Sequence, residues 1–116
     1  MSQHDDLIRI GHMLDAGNAI ARWLDGVEWE RFEKDDLLQS GVTYELQIIG
    51  EASFKLEEST RARLPEIPWT KVITMRHRLV HDYYRVDPKI VWDTATVHLP
   101  LFLMNLRSAF PDAERG

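Results

Sequence analysis

The chain has no cysteine among its 116 residues, which excludes both a disulfide framework and a thiolate zinc site. Long apolar runs are missing as well: none approaches the roughly 20 residues that span a bilayer. The opening Met1-Ser2-Gln3-His4-Asp5-Asp6 lacks the basic start and apolar stretch of a secretory signal. A cytoplasmic protein with no membrane association is the expectation. No segment alternates at period two, and there is no internal repeat or low-complexity tract. What remains is ordinary for a globular protein, 44% hydrophobic and 28% charged residues, in a length that suits one domain over residues 1–116 with a modest core.

Positive charge is scarce overall but not evenly so. The net charge is −5, which argues at first against nucleic acid, because phosphate binding is driven by Lys and Arg. Between Thr70 and Ile90, however, Lys71, Arg76, Arg78, Arg85 and Lys89 face only Asp82 and Asp87, while the rest of the chain holds 9 basic against 17 acidic residues. One basic segment sits on an acidic body.

The hydrophobic pattern is helical throughout. Leu7, Ile10, Met13, Leu14, Gly17, Ile20 and Leu24 recur at three-to-four spacing and predict a helix from about residue 5 to 25, closed by Asp25-Gly26. Glu28 to Lys34 reads as a connector or a short turn of helix. Asp35-Asp36 caps a second helix running through Leu38, Val42, Leu46, Ile49, Ala52 and Leu56 to about Glu58, in which Gly41 and Gly50 mark close packing. Ser59 to Ile67, with Pro65, reads as a linker. Pro68 suits the first position of a third helix whose dominant face holds Trp69, Val72, Ile73, Arg76, Leu79, Val80 and Tyr83. Asp87-Pro88 starts a fourth helix from about Lys89 to Ala109, bent near Pro100, and Pro111 to Gly116 reads as a frayed tail. The fold expected is all-α, a bundle of four main helices with a short extra helix or turn.

Chemically capable residues are densest in Met75-Arg76-His77-Arg78-Leu79-Val80-His81-Asp82-Tyr83-Tyr84-Arg85. His77 and His81 share a helical face at the spacing of a metal pair, but the metalloprotease version needs Glu directly after the first His, where this chain has Arg78. No metal or other cofactor is expected. Arg76 and His81 support a different chemistry. Metal-free RNA cleavage needs a base for the 2′-hydroxyl proton, an acid for the leaving oxygen and a cation for the charge on phosphorus. An imidazole titrating near neutral pH can be base or acid, and a guanidinium forks onto two phosphate oxygens. Five positions along a helix turn through about 140° and rise about 7.5 Å. Either the helix therefore distorts near His81, or two copies of the chain bring these residues to a shared cleft.

Arg, four residues, His, one residue, Tyr, present as Arg76, His81 and Tyr83, resembles the signature of the HEPN-superfamily ribonucleases. Ile48-Ile49-Gly50-Glu51-Ala52, Ile67-Pro68-Trp69, Leu79-Val80-His81 and Val86-Asp87 through Ile90-Val91-Trp92 are similar, in order, to its HepT-like branch, over roughly residues 45 to 105. The resemblance implies a HEPN-like homodimer with a cleft between protomers, and a metal-independent endoribonuclease leaving 2′,3′-cyclic phosphate ends. It also implies a toxin whose antitoxin, a minimal nucleotidyltransferase, transfers AMP to the motif tyrosine, here Tyr83. The added bulk and negative charge would repel RNA. The position after the motif arginine is commonly Asn in the family and is His77 here, a candidate auxiliary residue whose effect falls on rate and pH profile.

Arg76 and His81 are thus the candidate catalytic residues, Tyr83 the candidate AMPylation site with Tyr84 as its rival, and Lys71, Arg78 and Arg85 candidate RNA contacts. Glu51 reads as a structural ion-pair partner for a basic residue such as Arg76. Trp69 and Trp92 read as core anchors. Overall acidity and His77 also motivate a non-catalytic module that binds a nucleotidyltransferase or nucleic acid.

Overall fold

The computed structural model describes residues 3–113. Met1 and Ser2 of the N-terminal hexapeptide, and Glu114 to Gly116 of the expected tail, lie outside the described residues. Among the described residues seven α-helices follow one another: α1 Gln3–Leu24, α2 Trp29–Phe32, α3 Asp36–Lys55, α4 Glu58–Ala62, α5 Trp69–His81, α6 Pro88–Asp93 and α7 Leu99–Ala109. There is no strand among the described residues. Four helices are long, as the apolar periodicity predicts, and no helix is long and apolar enough to cross a membrane.

α3 is the central element, packed on α1 along one side and on α5 along the other. Ile10, Met13, Leu14 and Ile20 of α1 meet Val42, Leu46 and Ile49 of α3, with Leu79 of α5 and Leu103 and Leu106 of α7, in one buried cluster. Burial of such side chains contributes about 1.5–3 kcal/mol each, before the entropy of ordering them is set against it. Asp35 caps α3 by accepting the Leu38 amide at 2.9 Å. The Gln39 side chain donates to the carbonyls of Phe32 and Glu33, satisfying the open end of α2. Gly26 holds φ +74 after α1, the conformation that glycine adopts without a steric cost.

Several boundaries differ from the sequence expectation, the first of them for a tertiary reason. α3 stops at Lys55, because Leu56 turns to extended backbone, and part of the expected linker is helix α4. The cause lies 54 residues away. Asp6 of α1 is 2% exposed and accepts from the Thr60 hydroxyl at 2.5 Å and the Glu57 amide at 3.2 Å, pinning the start of α4 to α1. Arg61 then donates back to the carbonyls of Ser53 and Phe54 at the C-terminus of α3. Pro68 stands just outside α5 instead of at its first position, and the Trp69 indole donates to the carbonyls of Arg61 and Leu64.

The expected fourth helix is divided. Asp87 caps α6 through the Lys89 amide at 2.9 Å, with Pro88 at its first position as read from the sequence. A π turn over Thr94–His98 then leads into α7. Pro100 has no N–H to give to the carbonyl four residues back, so the irregularity expected at the proline is a widened turn directly before it. The tail is not frayed where it is described. Pro111–Ala113 forms a 3₁₀ turn, and Ala113 is buried and packs near α1.

Candidate functional site

α5 carries the chemistry, and its packing divides its side chains into two flanks. Leu79 is its buried anchor, and Gln47 of α3 donates to the Leu79 carbonyl at 3.2 Å. Opposite Arg76, α3 has Gly50, where a Cβ would come within 2.2 Å of the Arg76 Cβ. The absence of a side chain there is what lets the two helices approach so closely. Arg76 is consequently half-buried on the outer edge of the α3–α5 contact, while His77 and His81 point into solvent.

The helix is regular to its end: the Asp82 backbone amide donates to the Arg78 carbonyl at 2.9 Å, and Asp82 itself leaves helical geometry with φ −115 and ψ 34. No distortion precedes His81, so the angular separation of Arg76 and His81 in one chain stands. His77 lies between them, adjacent in sequence to Arg76, with its ring centroid 4.5 Å from that of His81. His81 and Arg78 fall in the last turn of α5, where positive charge suits the helix dipole. Among the described residues, no group of three or more His, Cys, Asp or Glu side chains gathers as a metal cage.

Tyr83 is not on the apolar face of the third helix, as its spacing predicted. It opens a 3₁₀ turn, Tyr83–Arg85, and its side chain is 73% exposed. Tyr84 is 67% exposed and meets Tyr83 edge-on, with Arg85 stacked over its ring at 5.4 Å. Both hydroxyl-bearing rings are therefore exposed. α5 has ended before Tyr83, and the chain turns there to reach Asp87-Pro88.

Of the candidate RNA contacts, Arg78 and Arg85 are exposed close to His81. Lys71 is separated from them. It lines the wall of an apolar groove of about 750 Å³ between α5 and the α6–α7 segment, with Val72, Met75, Ile90 and Leu101. It stands about 15 Å back from His81 along the helix axis. Trp69 and Trp92 are half-buried at the core's edge, Trp92 against Phe32 at 5.1 Å.

Glu51 of α3 meets Arg76 with Oε2 accepting from Nη2 at 2.7 Å, the ion pair that the sequence suggested. The same carboxylate reaches Lys55 through Oε1 at 3.4 Å. Lys55 therefore adds a cation beside Arg76 that the sequence reading did not single out. Its signal was the four-residue spacing from Glu51.

Burial pushes the Glu45 carboxyl on α3 above the ordinary carboxylate range. A raised value means that the fold favours the protonated acid. The resulting stability is fully present below the unfolded value of 4.5 and is lost as pH rises through the raised one. Glu45→Gln should thus raise the melting temperature at pH 7 by about 1–3 °C and leave it nearly unchanged at pH 4. Thermal scans of both proteins at the two pH values check this.

An all-helical bundle with an exposed histidine and tyrosine after a half-buried arginine defines the class. The family model described as "Ribonuclease HepT-like" matches residues 13–108. The chain belongs to this HepT-like family of the HEPN superfamily. A protein of Caldanaerobacter subterraneus subsp. tengcongensis named "Putative RNase" is 32% identical over 89 residues, covering 77% of this chain and 80% of that one. A Thermococcus cleftensis protein named "Probable ribonuclease HepT" is 38% identical over 72 residues, covering 62% and 66%. A Methanocaldococcus jannaschii protein, also named "Putative RNase", is 29% identical over 102 residues, covering 88% and 84%. No solved structure matches the chain.

Proposed function

We propose that the chain is a metal-independent endoribonuclease, acting as a homodimer in whose cleft Arg76 of one copy meets His81 of the other. The observation that carries this is the end of α5: Arg76 held at the helix edge, His81 exposed in the last turn and Tyr83 exposed directly after it, in a chain of the HepT-like family.

In this reading His81 takes the proton from a ribose 2′-hydroxyl. The 2′-oxygen attacks the adjacent phosphorus, the bond to the 5′-oxygen breaks, and the departing oxygen takes a proton from water. Arg76 donates to the phosphate oxygens as charge builds on them. His77, beside both, orients the phosphate or His81. Arg78 and Arg85 bind the RNA backbone, and Lys71, set apart on the groove, contributes to a longer RNA at most. The products carry 2′,3′-cyclic phosphate and 5′-hydroxyl ends.

The same site explains control. A nucleotidyltransferase antitoxin would transfer AMP from ATP to the hydroxyl of Tyr83, in preference to Tyr84, releasing pyrophosphate and placing negative charge at the mouth of the cleft. The chain then acts in the cytoplasm as the toxin of the pair, with residues 1–116 as one domain. A binding-only module is the second reading, favoured by one observation: the Arg76 charge is already met by Glu51.

The test is end-group analysis of a short RNA incubated with the purified chain in excess chelator. Cyclic phosphate ends are expected. Binding without cleavage would favour the second reading, and 5′-phosphate ends or loss of cleavage in chelator would refute the metal-free mechanism.

A further inference from the structure

We infer that Glu51 is the positioning residue of the site, fixing the Arg76 guanidinium where it meets the scissile phosphate. This rests on the ribonuclease reading above and adds a residue to it. Arg76 is gripped at both ends. At its root, Gly50 admits its Cβ against the α3 backbone, and at its tip Glu51, the next residue along the same helix, holds Nη2 at 2.7 Å. A free arginine on a helix surface samples many rotamers, and ordering it would otherwise fall on the reaction itself. The guanidinium has five N–H donors in a planar fork. Glu51 engages one nitrogen, and the fork retains donors for a phosphate.

The pair is neither sunk in the core nor loose in water: Arg76 and Glu51 side chains are 31% and 37% exposed. At that exposure the ion pair itself contributes little to stability. Its weight falls on geometry. Lys55, on the other oxygen at 3.4 Å, keeps the carboxylate from swinging away and leaves the trio with a net positive charge toward RNA.

A positioning role and a merely structural one separate in kinetics. Glu51→Gln keeps the shape and removes one negative charge next to the phosphate site, so the ground state attracts RNA at least as well. Arg76, no longer held, stabilises the transition state less. The expected result is kcat lowered by roughly 10- to 100-fold with KM unchanged or lower, and part of kcat regained in Glu51→Asp, which restores the charge. Both variants are measured beside wild type, below the lowest melting temperature of the three.

Wild-type kcat and KM in Glu51→Gln, with or without a lower melting temperature, would make the pair structural and overturn the inference. A raised kcat would make Glu51 a brake on Arg76 and overturn it equally. A Glu51→Gln chain that folds at no temperature while Glu51→Asp matches wild type would also assign the pair to the fold. A wild-type chain that cleaves no RNA is a distinct result: it removes the ribonuclease reading, and the role of Glu51 with it.

Discussion

Arg76→Ala and His81→Ala chains, each nearly inactive alone, are expected to regain roughly a quarter of wild-type RNA cleavage when refolded together. The singles should fall far. Removing a general acid–base group costs about 10²–10⁴ in rate, and removing a donor to the developing charge about 10²–10³. Recovery follows from where α5 puts the two residues. The helix is unbroken to His81, so one chain presents them about 140° apart. If a site takes its arginine from one copy and its histidine from the other, a mixed dimer has one site with both substitutions and one with neither. Half the dimers are mixed and each keeps one of two sites, which gives the quarter. No recovery, with dimers present by size-exclusion chromatography, would show that one chain supplies both residues of its own site.

The second large effect is on the fold and the site together. Gly50→Ala should lower stability by on the order of 1–3 kcal/mol, even though alanine favours a helix over glycine by about 1 kcal/mol. The new Cβ would lie 2.2 Å from the Arg76 Cβ and 3.3 Å from its Cα, and the backbone cannot yield as a side-chain tip can. α5 must move off α3, carrying Arg76 away from Glu51, so cleavage should fall with stability. Gly41→Ala is the matched control. Its Cβ would meet only the ring of Trp23, at 3.3 Å, on a side chain that is 39% exposed and able to shift. That variant should be neutral or slightly stabilised. Thermal unfolding of the two, with RNA cleavage of each, checks the contrast, and equal melting temperatures would count against the close α3–α5 contact.

Much of this was legible in the residues themselves. Apolar spacing located the four long helices, Asp35 and Asp87 marked the starts of two, and Gly50 announced a tight contact. The motif positions were readable because helical periodicity sets Arg76 and His81 relative to each other wherever α5 packs. Part of what was not legible depended on distant partners. Nothing near Glu58 announces α4, because its organiser is Asp6, a buried acid in another helix. Nothing near Pro100 distinguishes a bend from a π turn, since both answer the same missing N–H. Tyr83 continues the apolar spacing of α5, yet the helix ends two residues before it, so its ring is in water and not in the core. Lys71 belongs to the basic stretch in sequence but stands apart in space, because it lies about 15 Å back from His81 along the helix axis, on the groove.

The most direct test is the rate of RNA cleavage by wild-type and His81→Ala chains, side by side, in excess chelator. The account predicts that the wild type cleaves and the variant is slower by at least about 100-fold, with its melting temperature preserved because His81 is exposed. Equal rates for the two proteins, or no cleavage by the wild type, would contradict it.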